Sequence, residues 1–235
     1  MSVHLSEEEQ IENLKRWWQE NGRSTIIGVV LAVVAYFGWQ GWQNHQQQQR
    51  DEASALYEDL LNTAVAEPGQ TLTEEKIATA MNIADELKDK YGSGLYAVYG
   101  ALFAAKLSVD QNDLDRAETE LQWVINNHKD NEYALVARER LAQVYYAKTL
   151  YDDALSALNA VEPQNFAASY EELKGDIYIA KNMLPEAKLA YEAALNSLLT
   201  SQGDRRGIVQ MKLNDIRLPT DGENSSEPSA EGASS

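Results

Sequence analysis

The sequence predicts an all-α protein, with one N-terminal transmembrane helix continuing into an α-solenoid of helix pairs. Three observations carry that prediction. A stretch from Ser24 holds no charged residue until Arg50. Downstream there are no alternating apolar runs joined by hairpin turns, only apolar residues at helical spacing. Small residues then recur in a fixed phase, which is the mark of stacked helix pairs.

Composition narrows the function classes. The chain has 235 residues and a net charge of −17. Residues 46–235 hold 17 Lys/Arg against 32 Asp/Glu, a balance of −15. No nucleic acid is expected as a partner, because phosphate binding needs clustered cations. There is no cysteine, hence no disulfide, thiolate metal site or Cys nucleophile.

Residues 1–23 form an acidic leader, expected in the cytoplasm, with Ile11, Leu14 and Trp18 on one helical face that could lie along a membrane surface. Residues 24–45 are the expected transmembrane helix. Ile26–Trp42 covers roughly 26 Å at helical rise, and the uncharged flanks lengthen it to a full span. Ile26–Phe37 is apolar on every face, unlike a soluble core helix. Trp17, Trp18, Trp39 and Trp42 bracket it as an interfacial belt. A cleaved signal peptide would be shorter and would end in small residues, where this chain has Trp39 and Trp42. Lys15, Arg16 and Arg23 precede the span and only Arg50 follows closely. That imbalance predicts a cytoplasmic N-terminus and an exported C-terminal domain. Gly28, Ala32 and Ala35 make a small-residue stripe. It is either a contact face for another transmembrane helix or the ordinary composition of a span.

Residues 46–217 are the expected exported repeat domain. The helix should run on through the Gln46–Gln49 tract as a solvated stalk and stop at Glu67-Pro68-Gly69. Thr71 and Glu74 read as a capping box for the next helix, which ends at Gly92. The segments NDLDRAETELQWVI, TLYDDALSALNAV and NMLPEAKLAYEAAL then share one phase. Each has a small residue (Ala117, Ala154, Ala187) with a large one four positions on (Leu121, Leu158, Tyr191) and a small one twelve before (Ala105, Ala142, Gly175). Close helix crossings demand small residues at the crossing point, so Gly175 is expected to face Ala187. This phase resembles the tetratricopeptide repeat, whose period is about 34 residues. The stalk and the Thr73–Tyr91 helix would form a degenerate first pair. GDRRGIVQMKLNDIRL would cap the open end. Residues 218–235, acidic and without bases or aromatics, are expected to be a disordered tail.

No catalytic, cofactor-binding or metal-binding residue is assigned. His4, His45 and His128 fall in separate regions, and no phosphate loop, H-E-x-x-H or nucleophile elbow occurs. Asp152/Asp153 and Glu171/Glu172 are sequence neighbours that diverge on a helix, so they read as solvated faces. An enzyme is therefore not expected, and no cofactor is implied. A partner-binding groove is. In a tetratricopeptide-like solenoid the first helix of each pair lines the concave side. The corresponding positions are Tyr99, Leu102, Lys106 and Val109, then Glu139, Gln143 and Tyr146, then Glu172, Asp176 and Ile179. They suit an extended or basic peptide, or else pack repeat on repeat; both readings stand.

The leader and span, EEEQIENLKRWWQENGRSTIIGVVLAVVAYFGWQGWQ, and the closing MKLNDI resemble the YfgM-like ancillary subunits of the Sec translocon of Gram-negative bacteria. The resemblance runs from about Glu9 to Arg217. It implies a single-pass inner-membrane protein with a periplasmic repeat domain. It also implies association with the Sec translocon and with a membrane-anchored, parvulin-like prolyl isomerase chaperone, and help in handing over exported client proteins. A link to a cytoplasmic stress-response regulator is implied as well. From the residues alone, an anchored scaffold for an envelope assembly complex is the alternative.

Overall fold

The computed structural model describes residues 7–65, 71–129, 132–198 and 203–216. Glu67-Pro68-Gly69, where the stalk was expected to stop, and the acidic tail lie outside the described residues, as does the start of the leader. The described residues are helical, with no strand among them. Two compact units are present, residues 1–55 and 56–235.

In the first unit the chain is one helix. Helix α1 runs from Glu7 to Thr63 and shows no break between leader and span. Its apolar stretch is long enough to cross a membrane, and none of it is buried against protein. Ile11, Leu14 and Trp18 are exposed. Gly28, Ala32 and Ala35 are exposed too, and a side chain added at Gly28 would meet nothing within 4 Å.

The second unit starts with the last residues of α1. It continues as α2 (Glu74–Tyr91), α3 (Leu95–Asp110), α4 (Leu114–Asn127), α5 (Glu132–Ala147), α6 (Tyr151–Asn159), α7 (Ala167–Ala180), α8 (Leu184–Ser197) and α9 (Gly203–Asn214). A short 3-10 turn, Gln164–Phe166, precedes α7. The pairs α3/α4, α5/α6 and α7/α8 are the expected repeats, and the small residues of the phase, Ala105, Ala117, Ala142, Ala154, Gly175 and Ala187, are all buried. So are the large residues that follow, Leu121, Leu158 and Tyr191.

Each pair turns by the same device. Asn112, Thr149 and Asn182 have φ of 59°, 59° and 57°. They stand five residues before the phase-setting Ala in every repeat. The residue after each donates its N–H back across the turn, Asp113 to Ser108, Leu150 to Tyr145 and Met183 to Tyr178, all at 2.8 Å. This is the Schellman closure of a helix end. It needs a left-handed residue that Gly or Asn supplies most easily.

Two sequence expectations are corrected here. The cap of α2 is Thr73, whose side chain accepts from the Lys76 N–H at 3.3 Å, and not Thr71. The reason is local: the hydroxyl must sit three residues before the amide it caps. The degenerate first pair also differs from expectation. Helix α2 packs on α3, where Gly100 lets Leu87 and Ala84 approach. The end of α1 instead touches α3 through Tyr57, whose ring centroid is 5.7 Å from those of Tyr96 and Tyr99.

Polar groups tie the repeats together. Lys88 of α2 reaches Glu120 of α4 at 2.7 Å, and the Glu120 side chain is only 4% exposed. Tyr170 of α7, fully buried, donates to the Leu135 carbonyl of α5 at 2.8 Å. Burial, with the Glu139 charge adding, pushes its hydroxyl up to about 12, so it remains a donor. Asp152 and Lys181 pair across α6 and α7. Helix α9 closes the stack by burying Val209 against Tyr191, Ala194 and Leu198, while Ile208 and Met211 face out.

Candidate functional site

The first helices of the three pairs, α3, α5 and α7, carry the ten expected groove positions, and the structure divides them. Leu102 is spent on the core, packed among Val98, Leu121 and Leu141. Tyr99 is part of an aromatic row: its hydroxyl is 2.8 Å from that of Tyr133, and its ring meets those of Tyr57, Tyr96 and Tyr133. Glu139 accepts from the Ser169 hydroxyl at 2.9 Å. These three positions join repeat to repeat.

Glu172 and Asp176 are not a solvated acidic surface either. Glu172 takes Arg205 at 3.0 Å and Lys212 at 2.9 Å, both from α9. Asp176 accepts from Lys212 at 2.8 Å and from the Tyr191 hydroxyl at 2.7 Å. Burial alone would raise the Glu172 carboxyl; Lys212 and Arg205 outweigh it and hold the group below the usual range. For Lys212 burial works downward, and Asp176 and Glu172 overcome it, so its ammonium is held above the usual value. Burial first, and the Asp176 hydrogen bond second, push the Tyr191 hydroxyl up. The solvated reading of adjacent acids fits Asp152, 90% exposed, and fails for Glu172, whose side chain is 13% exposed.

Lys106, Val109, Gln143, Tyr146 and Ile179 remain at the surface. Three of them meet at one place. A cavity of about 330 Å³ opens between α3 and α5, lined by Ala105, Lys106, Val109, Leu121, Arg140 and Gln143 among others. Its walls are mostly aliphatic. At the rim Lys106 is neutralised by Asp110 at 2.5 Å. Arg140 is exposed and has no hydrogen bond or ion pair among the described residues. Sequence reasoning missed Arg140 because it followed the stripe 139, 143, 146. Position 140 lies one turn before Gln143 and borders the same stripe, which was the available signal. Among the described residues no group of three or more His, Asp or Glu could hold a metal ion.

A profile of the tetratricopeptide repeat-like domain matches residues 15–218. Three relatives share the description "Ancillary SecYEG translocon subunit". The one from Neisseria gonorrhoeae is 30% identical over 92% of this chain, that from Haemophilus influenzae 33% over 92%, and that from Escherichia coli 31% over 93%. Each is covered along 100% of its own length.

The chain belongs to the ancillary SecYEG translocon subunit family.

Family membership agrees with the architecture of the second unit. It is a tetratricopeptide repeat-like stack, and in this chain four of the five expected groove positions that remain exposed lie on α3 and α5. Of the third pair's positions, Glu172 and Asp176 are occupied by the chain's own α9, while Ile179 stays exposed.

Proposed function

We propose that this ancillary subunit is a single-pass inner-membrane protein that associates with the Sec translocon through its span and its repeat domain. The repeat domain lies in the periplasm, the leader in the cytoplasm. There it assists the handover of exported client proteins to periplasmic chaperones, among them a membrane-anchored, parvulin-like prolyl isomerase. A contact of the leader with a cytoplasmic stress-response regulator belongs to the same reading. The observation that supports the translocon association is the alignment over the whole length of relatives described as ancillary SecYEG translocon subunits. The Lys/Arg imbalance across the span supports the orientation. The open stripe Gly28, Ala32 and Ala35 suits close approach by a transmembrane helix of the translocon. In the repeat domain Lys106, Val109, Gln143, Tyr146 and Ile179 are the groove residues proposed to meet partners. No catalytic step is proposed.

Mild solubilisation followed by affinity purification of the full chain tests this reading. Translocon subunits and the prolyl isomerase should co-purify. Recovery of cell-wall or outer-membrane assembly components in their place would favour the anchored envelope scaffold.

A further inference from the structure

We infer that the cavity between α3 and α5 docks an extended polypeptide that inserts one bulky apolar side chain and sets an adjacent carboxylate on Arg140. The inference deepens the client-binding reading above by naming the chemistry of the segment bound.

Size and lining come first. At about 330 Å³ the cavity is at the small end of ligand sites, enough for a single large side chain. Ala105, Val109, Leu121 and Val144 give it an apolar interior. Val109 is 46% exposed at its edge, so the apolar lining is open to solvent.

Charge selects the neighbour. This acidic domain ties most of its cations to its own carboxylates: Lys88 to Glu120, Arg116 to Asp85, Lys148 to Glu118, Lys174 to Glu171, and Arg205 and Lys212 to Glu172. Lys106 at the rim is tied as well. Arg140 is not. An unspent guanidinium beside an apolar hole presents a planar set of donors that matches a carboxylate in bidentate geometry. The acidic sites expected to take a basic peptide, Glu172 and Asp176, are filled by Lys212. At the cavity itself the unpaired charge is thus that of Arg140, positive in a chain whose net charge is negative.

The test uses the full chain in nanodiscs and three fluorescent peptides blocked at both ends. The first is Gly-Ser-Phe-Asp-Gly-Ser. In the second Lys replaces Asp; in the third Ser replaces Phe. Anisotropy titrations should rank the Phe-Asp peptide first. Arg140→Glu should reverse the order of the Asp and Lys peptides, each preference being roughly fivefold for a rim charge pair. Gln143→Trp, at an exposed position, should fill the mouth and weaken all three. Circular dichroism melts matching the parent chain show that both variants fold. Equal binding of the three peptides, no saturable binding, or an order unchanged by Arg140→Glu overturns the proposal. So does displacement of bound dye-labelled decanoate with no peptide binding, which would assign the cavity to a fatty acid. Translocon co-purification is scored separately. Its loss would sink the functional reading while leaving the peptide result standing; its persistence without peptide preference would sink this inference alone.

Discussion

A Cβ placed on Gly175 would lie 2.4 Å from Cε1 of the Tyr191 ring. The nearest neighbour across the α7–α8 crossing is thus the large residue of the phase and not Ala187. The ring cannot swing away freely, because its hydroxyl donates to Asp176 and Lys212 stands 5.9 Å over its face. Gly175→Ala would ordinarily gain about 1 kcal/mol of helix propensity. Here the clash should dominate and the net cost should be about 1–3 kcal/mol, read as a lower melting temperature. Tyr191→Leu in the same chain should recover part of the loss, since neighbours in contact do not add. Leu189→Ala, at a 66% exposed position, is the inert control. A neutral or stabilising Gly175→Ala would refute the packing.

Thr149 is a β-branched residue in the left-handed region, where its counterparts are Asn112 and Asn182. Thr149→Asn should stabilise by about 0.5–1 kcal/mol, and Asn182→Thr should destabilise by a similar amount. Urea unfolding with unchanged m-values checks both signs.

Lys88 and Glu120 form a pair with side chains 13% and 4% exposed. Lys88→Met should cost about 3 kcal/mol, because it strands a buried carboxylate that retains only Arg116 at 3.8 Å. Replacing Glu120 with Leu in addition should restore most of it. If the double variant were as weak as the single one, the loss would come from packing and not from an uncompensated charge.

Lys212 couples α9 to Glu172 and Asp176, and the sign of its pH dependence is fixed by the shifts. The Glu172 carboxyl is lowered on folding, so its contribution is present above the ordinary value of 4.5 and is lost as pH falls through the lower folded value. Lys212 is raised, so its contribution is present below the ordinary 10.5 and is lost as pH rises through the higher folded value. Hydrogen exchange of α9 should therefore be slow at neutral pH and faster in Lys212→Met. The gap between the two chains should be smaller at an acid pH below 4.5 than at neutral pH. A gap of the same size at both pH values would mean that α9 is held by Val209 alone.

The imbalance of Lys and Arg across the span predicts sidedness. In intact spheroplasts a cysteine at Ser225 should react with a membrane-impermeant thiol reagent, and one at Ser6 only after lysis. Labelling in the opposite pattern would place the repeat domain in the cytoplasm.

Much of the fold was legible because helix crossings constrain single positions. Ala105, Ala117, Ala142, Ala154 and Ala187 can be read from spacing alone, since a close crossing of two helices favours small side chains at the contact point. The left-handed turn residues were legible in principle, in the same phase, but Thr149 disguises one of them. The groove was less legible. Position on a first helix does not say what a neighbouring repeat contributes, and Leu102, Tyr99 and Glu139 were claimed by contacts to other helices.

By itself the sequence determined the apolar length of the span, the absence of cysteine chemistry, the helical class and the repeat phase. All of these follow from composition or from periodicity along the chain. Only the tertiary structure decided which charges are spent. Lys212 lies 40 residues from Glu172 and 36 from Asp176, yet it pairs with both, with Arg205 adding to Glu172, while Arg140, beside Glu139 in sequence, has no ion pair among the described residues. Coulombic pairing depends on distance in space, and a solenoid brings residues one repeat apart together, so the charge of the groove could not be read from the charge of the chain.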